Sequence, residues 1–207
     1  MNRHFFITGI STEVGKTLVS AIVTEALEAD YWKPIQSGDL DDSDSHKIER
    51  LISNPKTKIH PNSYALKTPM SPHAAADIDG VRIDTTKIVT PQTANDLVIE
   101  GAGGLLVPLN EKETIADLIK PGYKVILVSR NYLGSINHTL LSVEALKHRG
   151  IDVSGILISG DENPSTESII VKMSGVSIIG RIAEESHFDK AVVRKYADIL
   201  APVLSAL

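Results

Sequence analysis

Two rhythms of apolar residues alternate along the chain. Short unbroken runs predict buried strands at Phe5-Phe6-Ile7, Tyr31–Ile35, Asp96–Glu100, Lys124–Val128, Val153–Ile158 and Val176–Ile182. Between them, apolar positions fall at helical spacing. Leu18, Ala21, Ile22, Ala26 and Leu27 mark a helix over Lys16–Ala29. Ile136, Leu140, Val143 and Leu146 mark another over Ser135–His148, which Gly150 stops. Shorter helices are expected over His46–Ile52, ended by Asn54-Pro55, and over Thr114–Ile119 and Thr166–Met173, with a closing helix over Ala191–Leu204. Residues 56–84 are polar and proline-rich, so long loops are expected there, with one short helix through Ala74-Ala75-Ala76. Gly101-Ala102-Gly103-Gly104 reads as a tight loop. Strands alternating with helices predict an α/β three-layer sandwich with a mostly parallel central sheet and helices on both faces. No repeat, low-complexity tract or linker divides the chain, so one domain over residues 1–207 is expected.

Composition narrows the chemistry. The chain of 207 residues has no cysteine, which excludes disulfides, thiolate metal sites and cysteine nucleophiles. Its 21 basic against 26 acidic side chains leave a formal charge of −5, which argues against a nucleic-acid partner. No apolar run approaches the roughly 18 residues that cross a bilayer, and no signal-peptide pattern opens the sequence, so no membrane partner is expected. A cytoplasmic enzyme is the expectation.

Gly9-Ile10-Ser11-Thr12-Glu13-Val14-Gly15-Lys16-Thr17 matches G-x-x-x-x-G-K-[ST] without a gap, after an expected strand and before an expected helix. In such a loop the backbone N–H groups of Glu13 to Leu18 surround phosphates at the positive end of a helix. Lys16 then reaches the β- and γ-phosphates and the Thr17 hydroxyl ligates Mg²⁺. This predicts a P-loop NTPase-like domain that uses ATP. Two carboxylates are candidates to complete the magnesium site: Glu100, at the end of a buried strand where open parallel sheets place ligand groups, and Asp44, in the acidic stretch after the second strand.

The motifs taken together resemble the dethiobiotin synthetases of biotin biosynthesis. They are Thr8–Thr17, Lys33-Pro34-Ile35-Gln36-Ser37-Gly38, Ser43-Asp44, Ser71-Pro72-His73, Glu100-Gly101-Ala102-Gly103-Gly104 and Leu133-Gly134-Ser135-Ile136-Asn137-His138, in the family's order. The resemblance implies an ATP-dependent ring closure of 7,8-diaminopelargonate with CO2, through a carbamate and a carbamic–phosphoric anhydride. It implies that Lys33 is the catalytic lysine beside diamine and carbamate, with Lys16 on the phosphates and the Thr12 and Ser37 hydroxyls orienting the substrate. It raises Asp44 to a magnesium ligand beside Thr17 and Glu100, and it brings Glu100, Gly101, Ala102 and Gly103 to the nucleotide. It also implies a homodimer, in which Gly134, Ser135 and Asn137 bind the substrate carboxylate across the interface. Ser159, Gly160 and Ala183 fall at the adenine end of the nucleotide site. Two of these depart from the family: asparagine usually stands at Ser159 and proline at Ala183.

Two other readings of the scaffold remain open at this point. Partner-switching ATPases of cell division and plasmid partition carry a second lysine near the start of the loop, whereas Thr8-Gly9-Ile10-Ser11-Thr12 has none. Amide-forming cobyrinate ligases continue into a glutaminase domain with a cysteine nucleophile, for which this chain has neither length nor cysteine.

Overall fold

The computed structural model describes residues 2–207. Seven strands form one sheet in the order β4-β2-β6-β1-β7-β8-β9, and every pairing is parallel. The strands are β1 (His4–Gly9), β2 (Asp30–Trp32), β4 (Ile59–His60), β6 (Leu97–Gly104), β7 (Lys124–Arg130), β8 (Val153–Ser159) and β9 (Ile178–Ile182). The expected parallel sheet is therefore present. Side chains alternate across it, and both faces are covered. Phe5 and Ile7 join a cluster with Val19, Ile22 and Val23 of α1 (Lys16–Leu27) and Tyr196, Leu200 and Leu204 of α6 (Lys190–Ser205). Phe6 faces the other way, with Trp32, Leu97 and Ile99, onto Ala75 and Ala76 of α3 (Pro72–Ile78). Among the described residues no helix is long and apolar enough to cross a membrane.

The connection leaving β1 leads to one side of the sheet and that leaving β7 to the other. This is the topology that opens a crevice at the carboxyl ends of the strands.

Several local expectations change. Tyr31–Ile35 is not one strand: β2 ends at Trp32, and Ile35–Ser37 forms β3, which pairs in parallel with β5 (Tyr64–Leu66) as a separate two-stranded sheet. Pro34 cannot donate to a ladder, and its carbonyl instead accepts from Ser63 and Tyr64 at 2.8 and 3.0 Å. The break leaves Lys33 at the end of β2. Gly101–Gly104 is not a loop but the last half of β6, with a register shift against β1 between Ile7 and Gly9. A Cβ on Gly104 would lie 3.5 Å from Ser11 Cα, so this glycine-rich stretch runs close beside the phosphate loop. Thr114–Ile119 shortens to a 3-10 turn over Ile115–Leu118. Of the remaining helices, α2 (Asp44–Leu51) starts earlier than expected because Ser43 caps it, and α4 (Ser135–His148) and α5 (Pro164–Ser174) complete the layers.

One buried carboxylate ties the α1 face together. Glu25 accepts from the Ser53 and Asn54 amides at 2.9 and 3.0 Å, from Asn54 Nδ2 at 2.9 Å, from the Ser53 hydroxyl, and from Arg194 of α6 at 3.2 Å. Burial opposes ionisation here, but the donors of Ser53 and Asn54 outweigh it and bring the pKa from 4.5 down to about 2. A depressed carboxyl stabilises the fold fully above the unfolded value and loses that contribution as pH falls through the folded one. The gap is worth about 3 kcal/mol. Between pH 5 and 2 the melting temperature of the parent should therefore fall more steeply than that of Glu25→Gln. Parallel profiles would contradict the assignment.

Candidate active site

The residues singled out by sequence gather at the carboxyl edge of the sheet. The phosphate loop leaves β1 with the Ile10 amide bound to Val128 O of β7 at 3.0 Å. Thr12 and Glu13 are exposed at its tip, Val14 is buried under it, and Glu13 takes a left-handed backbone with φ 58°. Gly15 caps α1 at φ 90°, and a Cβ there would lie 2.6 Å from Ser159 Oγ. Both conformation and space demand glycine. Leu18 lies in the first turn of α1. Lys16 is 7% exposed and folds back across the loop, donating from Nζ to Ser11 O at 3.0 Å. Burial pushes its pKa down to about 8, with Glu100 and Asp44 opposing and Lys33 reinforcing the fall.

Beside the loop lies a cluster drawn from four segments. Lys33 Nζ stands 2.5 Å from Asp44 Oδ2 and 3.0 Å from Glu100 Oε1. Thr17 Oγ1 donates to the same Glu100 oxygen at 3.0 Å, and the Tyr31 hydroxyl donates to Oε2 at 2.8 Å. Lys47 adds a longer contact to Asp44 at 3.7 Å. Burial pulls the Lys33 ammonium down, but Glu100 and Asp44 outweigh it and hold its pKa above the ordinary value. Burial pushes Asp44 up, and Lys33 and Lys47 more than offset it, so its carboxyl stays below the usual range. Burial, then Glu100 and Asp44, push the Tyr31 phenol well above its ordinary value, so it remains a donor.

The donors suit magnesium. Two carboxylates and a hydroxyl are hard oxygen ligands; the carboxylates already converge on one cation, the Lys33 ammonium, and the Thr17 hydroxyl bonds to the Glu100 oxygen that faces it. Among the described residues no three His, Asp or Glu side chains converge on a metal. Mg²⁺ needs no such cage, because one or two carboxylates with phosphate oxygens and water complete its shell.

The other expected residues divide. Gly101, Ala102 and Gly103 continue β6 from Glu100, and the Thr12 hydroxyl lies 3.4 Å from where a Cβ on Gly103 would sit. Ser159 ends β8 against Gly15. Next to it the Gly160 amide is bound to Ile182 O at 2.7 Å, and the Ala183 amide to the Tyr196 hydroxyl at 3.2 Å. Ser37 lies in β3, its hydroxyl oxygen buried with no hydrogen-bond partner among the described residues. Gly134, Ser135 and Asn137 open α4; Gly134 and Asn137 are exposed, Ser135 is buried, and none is bonded to the Lys33 cluster. A cavity of about 410 Å³ separates α4 from the loop, lined by Thr12, Gly104, Leu106, Pro108, His138 and Leu141 among others.

The chain is 64% identical over 198 residues to the ATP-dependent dethiobiotin synthetase of Christiangramia forsetii, covering 96% of each chain. The chain belongs to the dethiobiotin synthetase family. The enzyme of the same name from Cytophaga hutchinsonii is 52% identical, over 94% of this chain and 95% of the relative. Residues 3–191 match the family model described as an AAA domain. Among solved structures, the septum site-determining protein MinD of Pyrococcus horikoshii superimposes with a TM-score of 0.62, covering 100% of each chain at 15% identity. That likeness shows a shared P-loop fold.

Sequence reasoning missed two members of this dethiobiotin synthetase-family site. Tyr31 reads as strand core, and Gln36, whose Oε1 accepts from the Asp44 amide at 3.3 Å, reads as part of a motif without a task. For Tyr31 one signal existed: it stands two residues before Lys33, and such residues share a face of a strand.

Proposed function

We propose that this protein carries out the ATP-dependent carboxylation and ring closure of 7,8-diaminopelargonate with CO2, releasing dethiobiotin, ADP and phosphate. One amine takes up CO2 as a carbamate, and the γ-phosphoryl group of ATP passes to a carbamate oxygen. The second amine attacks the carbonyl carbon, the C–O bond to phosphate breaks, and the cyclic urea closes. The observation that carries this reading is Lys33, a buried cation between two carboxylates beside the phosphate loop. Negative charge grows on the carbamate and the transferring group, and fixed cations at that point are the main catalytic device. Lys16 serves the phosphates and Lys33 the carbamate, with the Thr12 and Ser37 hydroxyls orienting the diamine. Thr17, Asp44 and Glu100 would hold Mg²⁺, which when bound supplies charge neutralisation to the phosphates.

A homodimer belongs to the proposal. Leu106 and Leu141 are 50% and 55% exposed beside the cavity at α4, and Leu133 is fully exposed next to Gly134. A second copy covering this face would bury them and bring Gly134, Ser135 and Asn137 to its neighbour's substrate. The test of the activity is phosphate release with 7,8-diaminopelargonate and bicarbonate, compared with ATP alone. Release that does not depend on the diamine would favour a plain switch ATPase.

The adenine end yields a prediction of its own. An asparagine amide donates and accepts in one plane, whereas the Ser159 hydroxyl makes a single rotatable contact. The neighbouring amides of Gly160 and Ala183 are already engaged. Discrimination of ATP from other triphosphates should therefore be roughly 10- to 100-fold weaker than at an asparagine-bearing site. Ser159→Asn should sharpen it, read as kcat/KM for ATP, GTP and CTP. Strong ATP selectivity in the parent, unaltered in the variant, would contradict this.

A further inference from the structure

The two oxygens of Glu100 live in different surroundings. Oε1 accepts from Thr17 and Lys33, both at 3.0 Å, while Oε2 accepts from the Tyr31 hydroxyl at 2.8 Å. Tyr31 is the middle residue of β2 and has no exposed surface, and Glu100 is 1% exposed. Tyr31 pairs with Val98 in the parallel register of β2 and β6, two residues before Glu100, and Lys33 directly follows the end of β2 at Trp32. Two residues of one short segment, Tyr31 and Lys33, thus supply a donor to each oxygen of the same carboxylate.

We propose that Tyr31 is a positioning residue for the cation site: its hydroxyl holds Glu100 Oε2 in the interior and leaves Oε1 alone to meet a divalent ion beside Thr17. The inference rests on the magnesium-site reading above and goes beyond it, because it says how Glu100 binds and which ions it prefers. The terminal torsion of a glutamate is broad and nearly two-fold, so a lone carboxylate turns easily. A buried oxygen stripped of its donor is costly to leave unpaired, and without the phenol Glu100 has every reason to turn both oxygens toward the cation. With the phenol, Glu100 offers one oxygen. One-oxygen ligation suits the small octahedral Mg²⁺, whereas Ca²⁺ readily takes both oxygens of a carboxylate. Tyr31 therefore tunes the site toward magnesium without touching nucleotide, diamine or metal.

The test compares the parent, Tyr31→Phe, Glu100→Gln and the double variant. Tyr31→Phe keeps the ring in the core and removes one hydroxyl. Each protein is loaded with a nonhydrolysable ATP analogue, and Mn²⁺ is titrated by electron paramagnetic resonance and displaced by Mg²⁺ or Ca²⁺. Tyr31→Phe should weaken Mg²⁺ by about 10-fold, the scale on which partners of metal ligands act, and leave Ca²⁺ unchanged or tighter. The Mg²⁺/Ca²⁺ preference should fall accordingly, which mere loss of stability would not produce. In the Glu100→Gln background the substitution should change neither affinity further. An unaltered Mg²⁺/Ca²⁺ ratio in Tyr31→Phe, with Mg²⁺ weakened in Glu100→Gln, overturns the role of Tyr31 alone. Unaltered Mg²⁺ affinity in Glu100→Gln overturns the magnesium-site reading, and this inference with it. Infrared spectra of the parent give a check that needs no variant: on adding Mg²⁺, ¹³C-labelled glutamate should show the wide carboxylate splitting of one-oxygen ligation, and a narrow, two-oxygen splitting overturns the proposal.

Discussion

In Lys16→Ala, kcat for diamine-dependent phosphate release falls by at least roughly 10²-fold, the loss typical of removing a fixed group that stabilises transition-state charge. The Lys16 side chain crosses the loop, and its ammonium is held by Ser11 O at 3.0 Å. A triphosphate offers the ammonium stronger, charged acceptors within the same reach. The variant keeps the backbone amides that surround the phosphates, so the loss appears in kcat more than in nucleotide affinity. Phosphate-release kinetics and calorimetry with a nonhydrolysable ATP analogue separate the two. Turnover within threefold of the parent removes Lys16 from the chemistry.

Lys33→Ala has the second large effect, and it differs in kind. The substitution leaves Asp44 and Glu100 facing each other without the cation they share, at 2.5 and 3.0 Å. Removing one partner of a buried pair costs about 3–5 kcal/mol, with the partly exposed Asp44 setting the lower end. Two consequences follow. Turnover with diamine and bicarbonate falls by at least roughly 10²-fold, while the nucleotide analogue still binds. The lost stability returns when Mg²⁺ is added, because a divalent ion neutralises the same two carboxylates. Melting temperature with and without Mg²⁺ checks this. A magnesium-independent deficit, or a collapse of nucleotide affinity, contradicts the role given to Lys33.

The elements that the sequence makes legible are those with long periods. Buried runs such as Phe5-Phe6-Ile7 and helical stripes such as that of α4 carry enough residues to declare themselves. The pair β3 and β5 does not, since three-residue strands have no measurable period. Glycine misleads at 101–104: its usual message is a turn, and here its missing Cβ lets β6 run on beside the phosphate loop. The candidate site is legible in its charged members and not in its wiring. Lys33, Asp44 and Glu100 can each be named from motifs. That one ammonium sits between two carboxylates depends on the register of β2 against β6 and on the break at Pro34, which no local pattern encodes. Tyr31 is hidden for the same reason, because a tyrosine in a strand looks like core until its hydroxyl is followed to Glu100.

The central strand of the sheet precedes the other six in sequence and stands farther along the chain from its partners than any of them. β1 begins at His4, yet its two partners begin at Leu97 and Lys124. At roughly 5–20 residues per second on the ribosome, the second partner arrives several seconds after the first strand has emerged. Until then Phe5-Phe6-Ile7 is an unpaired apolar edge, open to association with another nascent chain. The phosphate loop lacks one of its anchors in that interval, since the Ile10 amide is bound to Val128 O of β7. Nascent chains arrested before β7 should therefore lack nucleotide binding altogether.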